Sequence, residues 1–391
     1  MLNLIENIIN KKTKKAIGLM SGTSLDGIDA CIIEIENYDE DTKYKLIEFL
    51  TLEYSLEEKN RVEKLCNNKT STVEEICFMN TYLGNKFAEA CIAVCNSANI
   101  SIDEIDFISS HGQTIYHMPN ENSTMQIGEL SVIAARTNCL TVGDFRPSDM
   151  AYGGQGAPLV PFVDYILYSH NEKGRILLNL GGIANITVLP ANSTSKDIFA
   201  FDTGPANLLI NAITEKITNG EKTFDEGGKM ALRGKVDEEL LEEIILKDTY
   251  LDIKPPKSTG REYYTEDFAN SIYEKGIKRG LSNYDILATI TAYTAKTIQN
   301  QINRFVLPKN DIHELYISGG GSHNQMIVKL LKECLDLEIY LTDDLGLPSD
   351  AKEAVAFAIL GNQFLLGKSN NIPSATGANR DVIMGKLTIP S

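Results

Sequence analysis

The sequence predicts an α/β protein of two domains, and three observations predict it. Residues 16–35, AIGLMSGTSLDGIDACIIEI, read as a strand, a tight polar turn and a second strand. Residues 175–190, RILLNLGGIANITVLP, repeat that design about one domain length further on. The chain is 391 residues long and 43% hydrophobic, ample for a sizeable core and more than one domain usually holds. Repeated strand-turn-strand units, each followed by helical segments, suggest an old duplication, although the identity between the two segments is low.

In the first unit, apolar runs at 17–20 and 28–33 flank the turn Ser21-Gly22-Thr23-Ser24-Leu25-Asp26-Gly27. Glycines let a backbone approach a ligand closely. Hydroxyls and free N–H groups in such a turn can bind phosphate oxygens. Asp26 and Asp29 stand where a metal accompanying the phosphate could be held, directly or through water. An ordinary Gly-rich hairpin would read the same way. Next, Ser71-Thr72-Val73-Glu74 has the form of a capping box and opens a helix running toward Ala98. Strands at 107–108 and 140–142 lead into the loops Ser110-His111-Gly112-Gln113-Thr114 and Gly143-Asp144-Phe145-Arg146, and the Gly/Pro-rich stretch 152–161 follows. These three loops could read a sugar. His111 and His117 lack zinc spacing, so no tight metal site is expected.

In the second unit, strands 176–180 and 186–189 flank Gly181-Gly182. A strand from near Ile198 ends at Phe201-Asp202-Thr203-Gly204-Pro205-Ala206-Asn207, with Pro205 near a helix start. Asp202 would then sit at a strand's carboxyl end before a helix N-terminus, where α/β folds hold ligands and anions are favoured. A carboxylate there can take a proton, position a metal, or simply cap the helix. The loop Lys257-Ser258-Thr259-Gly260-Arg261-Glu262 is basic and rich in hydroxyls, and a linker is expected around Pro255-Pro256. Apolar spacing predicts a long helix over 286–306. The strand at 316–318 runs into Gly319-Gly320-Gly321, and three glycines in a row suggest a ligand near the backbone. Helices are expected at 324–335 and 350–366, the last with Ser349 as N-cap.

Composition narrows the function. A net charge of −16 disfavours nucleic acid and anionic membranes. An anionic substrate therefore needs local cations, and Arg146, Lys257 and Arg261 are the candidates. No run of 18 apolar residues exists, and the N-terminal basic cluster follows an amphipathic stretch containing Glu6, the reverse of a secretion signal. Seven cysteines with no CxxC pair suggest reduced thiols. Nothing in the chain suggests Ser/His/Asp or Cys/His nucleophilic catalysis.

Nine segments together resemble the anhydro-N-acetylmuramic acid kinase family, in order across nearly the whole chain. They are GLMSGTSLDGID (18–29), SHGQTI (110–115), QIG (126–128), DFR (144–146), GGQGAPLVP (153–161), LNLGGIANIT (178–187), FDTGPAN (201–207), PKSTGRE (256–262) and SGGG with Asn324 (318–324). The resemblance implies a two-domain actin-like, ribonuclease H-like ATPase and sugar-kinase fold with the active site in the interdomain cleft. It assigns 1–150 to one domain, with 350–391 as a candidate addition, and 151–349 to the other. It further implies that ATP with Mg²⁺, the metal carried by ATP, phosphorylates 1,6-anhydro-N-acetylmuramic acid while water opens the anhydro bond. The product would be N-acetylmuramic acid 6-phosphate, made in the bacterial cytoplasm during peptidoglycan recycling. Asp202 matches the catalytic base. Gly22, Thr23, Ser24, Leu25, Asp26, Gly27, Ile28 and Asp29 match the phosphate turn, and Gly319, Gly320 and Gly321 match the nucleotide side. His111, Gln113, Thr114, Arg146, Gly204, Asn207 and Glu353 are the implied sugar contacts. Arg146 is followed by Pro147-Ser148, where relatives can carry further arginines. The resemblance brings in no nucleic acid or membrane and leaves a homodimer open. A kinase for another carbohydrate and an actin-like ATP-driven switch are the alternatives. The sugar-type loops would have no task in a switch.

Overall fold

In the computed structural model, which describes residues 2–22, 25–260, 263–345 and 348–390, the chain divides into two units. One is Met1–Leu167 with Asp350–Ser391, and the other is Tyr168–Ser349.

The first unit is built on its opening hairpin. β1 (Thr13–Ser21) and β2 (Gly27–Glu36) pair antiparallel, and β3 (Lys43–Glu53) continues the meander beside β2. β4 (Phe107–Met118) lies parallel to β1, and β6 (Leu140–Gly143) parallel to β4. β5 (Ser123–Ile127) folds back on β4, and β12 (Lys386–Thr388) adds to β6. β1 and β2 are buried nearly throughout rather than on alternate residues, because both faces of the sheet are covered. One face carries the helix Val73–Ala98, whose Met79, Leu83, Phe87 and Val94 join Ile17, Leu19, Ile28 and Ile32 in a core. The helix Lys352–Leu365 packs on β1, β2 and β4. It comes so close that a Cβ on Gly18 would lie 1.9 Å from the Ala354 carbonyl oxygen.

The second unit repeats the plan. β7 (Arg175–Leu180), β8 (Ile183–Leu189) and β9 (Phe199–Pro205) form an antiparallel meander. β10 (Glu314–Ser318) lies parallel to β7, and β11 (Glu338–Leu341) parallel to β10. The order β9-β8-β7-β10-β11 therefore matches β3-β2-β1-β4-β6 strand for strand and direction for direction. One α/β sheet of this kind per unit is the architecture implied for actin-like ATPases and sugar kinases. Ile176, Leu178 and Ile186 pack with Ile210, Leu287, Ile290 and Ile327 in this unit's core.

Helix ends differ from expectation for local reasons. Thr72, not Ser71, caps the helix Val73–Ala98 by accepting from Glu75 N at 3.2 Å. The Glu75 side chain takes Arg61 instead of closing a box. The long helix spans Asn283–Gln301, capped by Ser282, and widens into a π turn over Ile302–Val306. Pro205 is the last residue of β9, and the helix after it starts at Asn207. The last long helix starts at Lys352, not Asp350. Ser349 spends its hydroxyl on Asp343 Oδ1 (2.9 Å) and Thr342 Oγ1 (3.0 Å) rather than on a cap. All seven cysteines are free. Among the described residues no helix is long and apolar enough to cross a membrane.

Candidate active site

In the first unit the hairpin turn is tied to β4. Ser21 Oγ lies 2.9 Å from the Gly27 carbonyl and 2.7 Å from Gln113 Oε1, while Gln113 Nε2 donates to the Gly22 carbonyl at 3.2 Å. Leu25 adopts positive φ (57°) and its N–H reaches back to the Gly22 carbonyl at 3.4 Å. The Leu25 and Ile28 side chains are buried in the core, so only their main chain can meet a phosphate. Thr23 and Ser24 lie outside the described residues. Asp26 is exposed, with Lys59 Nζ at 3.5 Å. Asp29 accepts from Thr51 Oγ1 at 2.6 Å. Burial raises its carboxyl to about 6 despite that bond, helped by the negative charges of Glu353, Asp350 and Asp26.

Residues 110–114, expected as a loop, are part of β4, and from there His111 meets Arg146, the first residue of the short helix Arg146–Ala151 after β6. Arg146 Nε donates to His111 Nε2 at 3.0 Å and Arg146 Nη1 to the Gly156 carbonyl at 2.8 Å. His111 Nδ1 lies 2.8 Å from the Gly112 carbonyl, and its ring sits 4.8 Å from that of Phe357. With Nε2 taking a guanidinium N–H, the imidazole proton belongs on Nδ1. Burial and the adjacent guanidinium hold His111 down to about 3. Burial likewise lowers Arg146 to about 10, against the pull of the nearby Glu353 carboxylate. Thr114 Oγ1 accepts from Gln126 Nε2 at 3.3 Å. Glu353 is exposed in the first turn of the helix Lys352–Leu365.

In the second unit Asp202 stands next to a bulge. Ala184 pairs with Gly204 and Asn185 with Asp202, which leaves Thr203 without an opposite number on β8. Bulges re-aim side chains near active sites. Asp202 Oδ2 accepts from Ser258 Oγ at 2.9 Å and from Thr259 N at 2.8 Å. Its main chain is held as well: the Asp202 N–H donates to the Lys257 carbonyl at 3.3 Å and its carbonyl accepts from Tyr250 Oη at 2.8 Å. The hydroxyl-rich loop of the sequence is thus the cradle of this carboxylate, although Arg261 lies outside the described residues. Lys257 is half-buried with its ammonium 4.2 Å from the Tyr250 ring centre, and burial lowers it to about 8. Tyr250 carried no motif. The signal for it was the density of tyrosines at 250, 263, 264 and 293 in a chain without tryptophan.

The three glycines after β10 differ from one another. A Cβ on Gly319, where φ is 81°, would lie 2.5 Å from Asn179 Oδ1, and one on Gly321 would lie 2.6 Å from Leu180 Cβ. Gly320 faces open space. Asn207 Nδ2 donates to the Leu180 carbonyl at 3.1 Å, and Gly204 lies against Thr297 with φ of 146°. The structure thus groups Gly204, Asn207, Asp202 and Gly319–Gly321 in the second unit. Gly22 through Asp29, His111, Gln113, Thr114, Arg146 and Glu353 belong to the first.

Comparison with known proteins gives one family. The family model for anhydro-N-acetylmuramic acid kinase matches residues 14–390. A protein of that name from Caldanaerobacter subterraneus subsp. tengcongensis is 45% identical over 98% of this chain and 98% of its own length. Another from Clostridioides difficile is 44% identical, covering 95% of this chain and 98% of that one. Among solved structures, component A of the Acidaminococcus fermentans (R)-2-hydroxyglutaryl-CoA dehydratase overlaps with a TM-score of 0.43. It is 13% identical and covers 90% of this chain and 99% of that chain.

Proposed function

The chain belongs to the anhydro-N-acetylmuramic acid kinase family, and from that membership we propose that it opens 1,6-anhydro-N-acetylmuramic acid with water and phosphorylates O6 from ATP. The observation that carries the reading is Asp202, a carboxylate held beside a strand bulge by Ser258 Oγ and Thr259 N with its main chain pinned on both sides. Such a group is fixed in direction, as a general base must be. Asp202 takes a proton from water, and the water oxygen bonds to the anomeric carbon. The bond from that carbon to O6 breaks and leaves its electron pair on O6. O6 then takes the γ-phosphoryl group, and ADP departs. Phosphoryl transfer asks a protein for positioning and charge neutralisation more than for covalent help.

Gly22 to Asp29 and Gly319 to Gly321 are the nucleotide contacts in this reading, supported by the turn geometry and by the open space at Gly320. Mg²⁺ enters as part of the ATP substrate and neutralises phosphate charge. Asp26 and Asp29, on either side of the end of the phosphate turn, are the residues that would meet it, directly or through water. His111, Gln113, Thr114, Arg146, Gly204, Asn207 and Glu353 are the sugar contacts, with the Arg146 guanidinium the cation for the substrate carboxylate. The enzyme would work in the bacterial cytoplasm, recycling cell-wall sugar. A homodimer is compatible with the reading, and neither nucleic acid nor a membrane enters it.

The test is the reaction in ¹⁸O-water with both products examined by mass spectrometry. Label at the anomeric hydroxyl and none in the phosphate ester is expected. Labelled inorganic phosphate with the anhydro ring intact would mean plain ATP hydrolysis and refute the proposal.

A further inference from the structure

Behind Asp202 lies a buried cluster that the reaction as written does not use. Asp248, 2% exposed, gathers three phenols: Tyr263 Oη at 3.1 Å from Oδ1, Tyr264 Oη at 2.8 Å from Oδ2, and Tyr293 Oη, also on Oδ2. It also takes the main-chain N–H of Tyr250 at 3.0 Å. These phenols come from two stretches of the second unit, Tyr263-Tyr264 and the helix Asn283–Gln301 that carries Tyr293, so the carboxylate they hold fixes where the backbone of Tyr250 stands. From there the Tyr250 ring, 2% exposed, sends its hydroxyl to the Asp202 carbonyl at 2.8 Å. The same residue seats Lys257, whose ammonium lies 4.2 Å from the ring centre and donates to the Tyr250 carbonyl at 3.1 Å. Lys257 in turn offers its own carbonyl to the Asp202 N–H at 3.3 Å. Both main-chain groups of the proposed base are therefore set through one tyrosine.

We propose that Tyr250 is a positioning residue of the reaction: it aims the Asp202 carboxylate by holding the Asp202 main chain, and Asp248 with its phenols holds Tyr250. A residue that only filled the core would lie against Asp202 through its ring. Here the contact is a directed hydrogen bond to the backbone of the one residue assigned to proton transfer. The proposal rests on Asp202 being the base. Misplacing a reacting group by about 1 Å can cost on the order of 100-fold in rate, so a single hydroxyl at this place has leverage.

Tyr250→Phe is the test, because it removes the hydroxyl and keeps the ring, its packing and the seat for Lys257. We expect kcat to fall by about 10- to 100-fold, with KM for ATP and for the anhydro sugar changed by less than about threefold. Circular dichroism and the melting transition check that the variant is folded. The decisive measurement is the same substitution in the Asp202→Asn background, with residual turnover followed by labelled ATP. Residues acting as a unit are non-additive, so the second substitution should there change the rate by less than about twofold. An equal loss in both backgrounds, or unchanged kcat in Tyr250→Phe alone, overturns the positioning role while leaving Asp202 as the base. Wild-type turnover in Asp202→Asn overturns the base itself, and this proposal with it.

Discussion

Arg146 and His111 form a pair of two groups that are both usually cationic in acid, and only one of them can be. The guanidinium donates to Nε2 at 3.0 Å, so a proton there would break the bond and place two positive charges together in a buried site. Burial adds to the penalty, and His111 is held down to about 3 from an ordinary 6.5. In the unfolded chain the imidazole takes a proton below about pH 6.5, whereas in the fold it stays neutral. The contribution to stability is therefore complete above that pH and is lost as pH falls toward 3. At about 1.4 kcal/mol per pH unit the loss reaches about 2 kcal/mol by pH 5. His111→Gln, which keeps an acceptor for Arg146, should lose that much less between pH 7 and pH 5 in urea titrations. Nitrogen NMR of the wild-type ring should show the neutral Nδ1–H form throughout that range. A ring titrating near pH 6.5 would contradict the pairing.

At the scale of elements, the three glycines after β10 separate packing from ligand binding. Gly319 and Gly321 have no room for a side chain, and a strand-to-helix turn this tight explains them without any ligand. Gly320 has room, so the packing around it does not explain the glycine. Gly320→Ala should melt within about 2 °C of wild type, as surface changes away from packing usually stay within about 0.5 kcal/mol. Its KM for ATP should rise severalfold while KM for the sugar holds. Gly321→Ala should instead lower Tm by several degrees, since its Cβ would meet Leu180 Cβ at 2.6 Å. Equal ATP affinity in Gly320→Ala and wild type would remove Gly320 from the nucleotide side. The sequence made both hairpins legible, because a polar Gly-rich turn between two apolar runs is a local pattern. It left the bulge at Thr203 hidden, because a bulge is a register between β8 and β9 and no single segment carries it. The loop 257–259 stood out by its hydroxyls, yet its partner in Asp202 is about 55 residues upstream and pairs with it only in the fold. The tyrosines at 250, 263, 264 and 293 were dense in the sequence, but nothing local to any of them said that three would share the Asp248 carboxylate. Helix ends slipped where a side chain had a better offer, as with Glu75 on Arg61 and Ser349 on Asp343.

At the scale of the molecule, the repeated strand order makes two units of one design, but the chain builds them differently. The second is a single stretch, Tyr168–Ser349, with its own apolar core. The first needs both ends of the chain. The helix Lys352–Leu365 supplies the layer over β1, β2 and β4, with Ala354 against Gly18 and the Phe357 ring on His111 and Phe145. Beyond it, Asn371 Nδ2 and Thr376 Oγ1 donate to buried Asp149 at 3.0 and 2.8 Å, and β12 extends the sheet at β6. Residues 1–167 alone would leave a sheet face bare and Asp149 without these two donors. One fully buried large apolar side chain is worth about 1.5–3 kcal/mol, and a whole domain holds about 5–15 kcal/mol. Losing a complete layer therefore exceeds what the fold can absorb. We expect 168–349 expressed alone to unfold in one cooperative transition and 1–167 alone to show none. Joining 1–167 to 350–391 through a flexible Gly/Ser linker in place of the second unit should restore a transition. Calorimetry and amide NMR dispersion on the three fragments check this. A cooperative melt of 1–167 by itself would mean that the returning helix is an ornament on a sheet already stable without it.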